Sequence, residues 1–255
     1  MQYSKINLMI PTFKRVDRLQ NLILSACETA SFPDGLRFSI CVNVNDNETK
    51  RFLTQDLVDS HIWCPKLSNC GTDYILEHTK QPNLSYYWNL IFDTTKFHDE
   101  NTLVSMIGDD MEFVTPGWDK AVLDAVNARD GAAVVYCDDD FIQHEKCCVN
   151  LFTTRKIVEA TKKPFMCPKF HADMIDTIWT YAGAMSSTLQ YLSDVKIRHN
   201  HNTMLAENLR DENHKRLKPV QDLYHNNENY RYALAYASIM AANIVDAGLG
   251  KWNSL

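Results

Sequence analysis

An apolar run, Leu103, Val104, Met106 and Ile107, ends in Gly108, Asp109 and Asp110, and Glu112 stands two residues beyond them. Carboxylates crowded onto the end of a buried strand repel one another in a low dielectric unless something positive sits among them. A divalent cation is the simplest such partner, and a solvated acidic loop is the alternative. A second acidic group, Asp138-Asp139-Asp140, ends the apolar run from Ala132 to Cys137. It reads either as a further set of metal ligands or as a polar strand exit. Asp173 and Asp176 are three apart in a helical pattern and so share a face. They are either acids favoured at a helix N-terminus or the source of a general base. His199 and His201 close an extended run and, two apart, point the same way; they are either structural or metal ligands.

These side chains need a scaffold that brings strand ends together. Lys5 to Ile10 is a compact apolar strand ended by Pro11-Thr12, and Val16, Leu19, Ile23, Ala26 and Ala30 then fall at helical spacing. Arg37 to Val44 forms a second strand, closed by Asn45-Asp46-Asn47. That triplet is ordinary turn chemistry, although a carboxylate at a strand exit can also accept hydrogen bonds from a nucleobase or ribose. Residues 47–84 read as polar and irregular, with Pro65, Gly71 and Pro82 as turn signals. Ser85 is a candidate N-cap for an amphipathic helix reaching Lys96. Helices follow over Trp118 to Arg129, Thr153 to Lys163 and from Phe170 through Trp179, and strands over Ala132 to Cys137 and Tyr191 to Arg198. A helical stripe runs between Tyr230 and Ile244. Strands alternating with helices predict an α/β fold with a mixed, mainly parallel sheet that gathers ligands at the carboxyl ends of its strands.

The chain has 255 residues, a net charge of −6, 45% hydrophobic and 23% charged residues. This is the balance of a globular protein, and the acidic excess argues against a surface devoted to nonspecific nucleic-acid binding. No stretch approaches the ~20 apolar residues of a membrane span, so a cytoplasmic protein without a stable membrane anchor is expected. Eight cysteines show no CxxC pair and read as buried, reduced thiols. There is no internal repeat.

Taken in order, PTFKRVDRL (Pro11 to Leu19), VNDN (Val44 to Asn47), IGDDMEFVTPGWD (Ile107 to Asp119), the helix carrying Asp176-Thr-Ile-Trp179 and the strand ending in His199-Asn-His201 resemble GT-A glycosyltransferases of the family 2 type. The resemblance covers residues 5–205 and implies a Rossmann-like GT-A domain over 1–205, with a helical C-terminal extension over 206–255 packed on it. It implies a metal-dependent transferase that moves a sugar, with inversion, from a nucleotide-diphosphate sugar, a UDP-sugar by expectation, to an acceptor hydroxyl. Pro11, Thr12, Arg15, Asn45, Asp46, Asn89 and Asp109 would line the donor. Gly108 stands where the family often has its first aspartate, so Asp110 becomes the expected ligand of Mn2+ or Mg2+, with His199 or His201 completing the shell. Asp176 would be the base, and Asp173 its substitute. A nucleotidyltransferase would carry a glycine-rich phosphate loop near the first strand, and PTFKRVDRL has no glycine. A noncatalytic nucleotide-sugar binding module is the other alternative. The acceptor is open: a glycan, a lipid-linked sugar, a protein or, given the basic stretch Arg210 to Lys218, a modified DNA base.

Overall fold

The structure, a computed structural model, describes residues 2–56, 71–77, 83–95, 99–171, 174–200 and 227–254. Asp173, His201 and the Arg210 to Lys218 stretch lie outside the described residues.

Among the described residues, eight strands form one mixed sheet in the order β3-β2-β1-β4-β7-β6-β8-β5. The central strand is β1 (Lys5–Thr12), which pairs in parallel with β2 (Leu36–Asn43) on one side and β4 (Thr102–Met106) on the other. Its near-continuous apolar run is what a strand covered on both faces requires. The parallel edge is β3 (Gly71–Glu77), inside the segment read as irregular. Its apolar core is only Tyr74-Ile75-Leu76, too short to stand out from the surrounding turn residues. On the far side β7 (Leu151–Thr154) runs antiparallel to both β4 and β6 (Val134–Asp138). Next come β8 (Leu189–His199), parallel to β6, and the short β5 (Met111–Phe113), antiparallel to β8.

Helices cover both faces. Helices α1 (Val16–Thr29) and α4 (Trp118–Asn127) bury Leu19, Leu22, Ile23, Trp118, Val122 and Val126 against Leu8, Ile10 and Phe38. The opposite face takes α3 (Leu84–Thr94), α6 (Ile175–Met185) and α7 (Asn227–Asp246), which bring Trp88, Ile91, Trp179, Ala237 and Met240 onto Met9, Val104 and Tyr136. Two further α-helices are short, α2 (Asn47–Arg51) and α5 (Arg155–Ala160). No helix among the described residues is long and apolar enough to cross a membrane.

Several local readings shift. Asn83, not Ser85, caps α3 by accepting the Tyr86 N–H, and the Ser85 hydroxyl instead donates to the Phe170 carbonyl. The segment from Thr153 begins as a strand, and Thr154 then caps α5 through the Ile157 N–H. Helix α6 starts only at Ile175, after a left-handed Met174. Six free cysteines occur among the described residues, five of them buried.

The TPGWD turn is a docking device. Gly117 takes a left-handed φ of 77° and donates its N–H to the Thr29 carbonyl at 2.6 Å. The fully buried Trp118 donates its indole N–H to the Ala26 carbonyl. Asp119, also buried, accepts N–H groups from Ser31 and Phe32, each at 2.7 Å. One carboxylate therefore satisfies the chain just beyond α1 and ties α4 to it. Asp119→Ala is expected to lower stability by about 3 kcal/mol, since hydrogen bonds to charged groups contribute ~1.5–3 kcal/mol each. A midpoint shift in urea unfolding measures it.

Candidate active site

Helix α1 follows β1 on one face and α3 precedes β4 on the other. With β1 and β4 adjacent and parallel, their carboxyl ends open a crevice at the point where the strand order reverses, the usual ligand position in such sheets. Thr12 and Arg15 leave β1 there, and Gly108, Asp109 and Asp110 leave β4.

The side chains meet. The Thr12 hydroxyl donates to Asp109 Oδ2 at 2.8 Å, and Arg15 Nη1 to Asp109 Oδ1 at 2.7 Å. The same Arg15 nitrogen lies 3.5 Å from Asp110 Oδ2. Burial pushes the Asp109 carboxyl up; the Arg15 charge pulls it back, and Asp110 opposes that pull. Arg18 Nη1 approaches Asp110 Oδ2 at 3.8 Å and donates to the Asn200 carbonyl at 3.2 Å. Arg18 lies off the apolar stripe of the helix, and its residue type and position alone give it no role at the site. The signal for it is its place in the first turn of α1, close behind Arg15, the residue that caps that helix.

His199 arrives from β8. Met111 pairs with His199 across β5 and β8, and the Asn200 N–H reaches the Asp110 carbonyl at 2.9 Å. His199 Nε2 then sits 3.4 Å from Asp110 Oδ1. Burial disfavours the imidazolium, but Asp110, Asp139 and Asp176 outweigh it and raise the His199 pKa above its ordinary 6.5. Asp176 lies in the first turn of α6, where its Oδ1 accepts the Thr177 N–H at 2.8 Å. Its main-chain carbonyl accepts the Cys148 thiol at 3.3 Å and the Thr180 hydroxyl at 2.8 Å.

Other expected donor residues have different occupations. Asp46 caps α2 through the Thr49 N–H and hydroxyl, and it also accepts the N–H of Lys14 at 2.5 Å. Lys14 has a left-handed φ of 53°, so Asp46 holds the bend that presents Arg15. Asn45 is exposed, and its N–H bonds the Asn43 side chain. Both ends of the Asn89 carboxamide bracket the Met166 backbone, at 2.9 and 2.7 Å. Pro11 is a buried residue of β1 paired with Cys41.

Asp138, Asp139 and His144 form a second group, with ligand atoms within 4.8 Å of one another, close enough to share a cation. Asp138 accepts from the Tyr191 hydroxyl and the Asp140 N–H and faces His144 Nδ1 at 3.1 Å. Burial works against ionising Asp138, but these bonds prevail and hold its carboxyl below the ordinary range. The bond to Asp138 raises His144 in turn.

The Asp110–His199 pair fits a divalent cation chemically: a carboxylate oxygen and an imidazole nitrogen face each other, with Asp109 adjacent. Gly108 makes the room, because a Cβ there would stand 2.7 Å from Asp110 Oδ1. The clash is with the end of a flexible side chain rather than with backbone, so it redirects the carboxylate. Gly108→Ala is therefore expected to reduce any metal-dependent turnover by ~10- to 100-fold, as misplacements near 1 Å do. The thermal midpoint should hardly move, and kinetics beside a melting curve separate the two effects.

Neither a protein-family model nor a curated protein sequence matches the chain. Solved structures do match. The mannosyltransferase PcManGT from Pyrobaculum calidifontis, in complex with GDP-Man and Mn2+, aligns over 100% of this chain and 77% of its own, with a TM-score of 0.58 and 12% identity. S. aureus TarS 1-349 in complex with UDP aligns over 76% of this chain with a TM-score of 0.55 and 11% identity, and this chain spans 59% of its length. The same protein in complex with UDP-GlcNAc aligns over 95% of this chain and 73% of its own, with a TM-score of 0.55 and 10% identity. The chain has the GT-A glycosyltransferase fold.

Proposed function

We propose that this GT-A chain is a metal-dependent glycosyltransferase that moves a sugar from a nucleotide-diphosphate donor, a UDP-sugar by expectation, to an acceptor hydroxyl with inversion. The observation that carries the reading is the convergence of Thr12, Arg15, Asp109, Asp110 and His199 at the crevice between β1 and β4. The fold's solved relatives were seen with UDP, UDP-GlcNAc or GDP-Man and Mn2+, which supports the choice of donor class.

Asp110 and His199 would hold Mn2+ or Mg2+, whose chemistry is to neutralise the charge that develops on the departing diphosphate. The chain's own groups do the rest. Arg15 and Arg18 supply fixed positive charge beside the acids and bind anionic oxygens of the donor. Asp109, anchored by Thr12 and Arg15, is held rigidly enough to accept a ribose or sugar hydroxyl. Asp176 accepts the acceptor's hydroxyl proton as the new glycosidic bond forms. The Asp46 carboxylate acts indirectly here, by fixing the bend that aims Arg15. Residues 1–205 would form the catalytic domain, with 206–255 as its helical extension.

The test is release of nucleoside diphosphate from a panel of UDP- and GDP-sugars with Mn2+, with and without glycan or DNA acceptors. Mn2+-dependent release stimulated by an acceptor supports the reading. Donor binding without any turnover would instead make the chain a nucleotide-sugar binding module.

A further inference from the structure

Two acidic groups with a histidine stand at the strand ends, and each could be imagined around a cation: Asp110 with His199, and Asp138 and Asp139 with His144. We infer that the second group is a latch rather than a metal site, and that Asp139 is a positioning residue which holds His199 against Asp110. This rests on the reading of Asp110 and His199 as the cation's ligands.

Asp139 is fully buried. Its Oδ1 accepts the N–H groups of Phe141 at 3.4 Å and His144 at 2.8 Å, and its Oδ2 those of Ile142 at 3.3 Å and Gln143 at 3.1 Å. A cation at these oxygens would have to displace, or sit against, the positive ends of four N–H dipoles. The cage has a different purpose. Asp140 and His144 carry left-handed φ values of 49° and 45°, conformations unfavourable for residues with side chains, and the bonds to Asp139 hold the loop between them in that shape.

The loop delivers two contacts to one target. The Asp139 carbonyl accepts the His199 N–H at 2.9 Å, and the Phe141 ring meets the imidazole edge-on, with centroids 6.4 Å apart and planes at 82°. From the other side, the Asn200 N–H is bonded to the Asp110 carbonyl. Backbone position and ring orientation of His199 are thus fixed between the latch and the acid it faces. Without the Asp139 carboxylate, four loop N–H groups lose their acceptor, the loop relaxes, and the imidazole loses its aim.

The roles predict opposite behaviour at Asp139 and His144, because the latch uses the backbone N–H of His144 and a metal site would use its ring. With Mn2+ alone as the probe, titrated calorimetrically into the full chain, Asp139→Ala should weaken binding by ~10- to 100-fold, the usual effect of losing the support behind a metal-bound histidine. Asp139→Asn should restore part of the loss. His144→Gly, which suits the left-handed backbone and has no ligand atom, should stay within about twofold of wild type. Phe141→Ala probes the latch without unpairing the cage and should weaken Mn2+ by several-fold with an unchanged thermal midpoint, so the inference stays testable if Asp139→Ala does not fold. It is overturned if His144→Gly loses Mn2+, or if neither Asp139→Ala nor Phe141→Ala changes the affinity. Full Mn2+ affinity in Asp110→Asn would refute the donor-site reading itself.

Discussion

Asp110→Asn is expected to remove Mn2+-supported turnover of a nucleotide-sugar donor, with a loss of about 10³-fold or more. A cation clamping a departing diphosphate contributes several kcal/mol, and each ~1.4 kcal/mol is a factor of ten in rate. Among the described residues, the neighbouring carboxylates Asp109 and Asp139 are otherwise engaged. Asp109 is held by Thr12 and Arg15, and Asp139 is enclosed by its own loop. The isosteric amide keeps side-chain volume, and the main-chain carbonyl that accepts the Asn200 N–H is untouched, so the fold should survive. Initial rates across a Mn2+ titration measure the effect. Wild-type rates in Asp110→Asn would move the metal elsewhere.

The same pair gives a pH signature. The His199 pKa is raised because Asp110, Asp139 and Asp176 outweigh burial. Below the raised value the imidazolium cannot ligate, so apparent Mn2+ affinity should fall as pH drops through it. In metal-free protein the sign is reversed. The stability from the His199–Asp110 contact is fully present below the ordinary 6.5 and is lost as pH rises through the raised pKa. Comparing Mn2+ titrations and thermal unfolding over pH 5–8.5 separates these trends.

Asp176→Asn is expected to leave donor and Mn2+ binding intact while lowering transfer to the acceptor by ~10²- to 10⁴-fold, the usual contribution of a positioned general base. Asparagine retains an oxygen that can accept the Thr177 N–H at 2.8 Å, so the first turn of α6 keeps its support. Only proton acceptance is lost. The check is a split: unchanged donor affinity by calorimetry beside a collapsed transfer rate. Full transfer in this variant would remove Asp176 from the role, and Asp173, just upstream, would be the next residue to replace.

Asp109 and Asp110 show where the sequence is informative. Carboxylates that end an apolar strand are a costly local pattern without a positive partner, and the structure sets Arg15 and Arg18 against them. Asp46 and Asn89 show the opposite. Their types suit hydrogen bonding to a nucleotide, yet Asp46 bonds Lys14 and Thr49, and Asn89 bonds Met166. An amide or carboxylate satisfies whichever donor the fold brings closest, and periodicity does not reveal that donor. β3 escaped for a related reason: an edge strand pairs on one side only, and its short apolar run gives little alternation to read.

The sequence by itself determined the alternating α/β pattern, the buried central strand and the acids at the strand ends, because apolar periodicity and strand-terminating residues are local properties. Tertiary structure decided the rest. It reversed β7 so that the chain after β6 returns through the sheet, brought His199 of β8 to Asp110 some ninety residues earlier, and enclosed Asp139 in N–H groups. Those outcomes depend on cross-strand register and on competition for hydrogen bonds between distant segments. A carboxylate and an imidazole are recognisable as residue types in a chain, but only the sheet sets the 3.4 Å between Asp110 and His199.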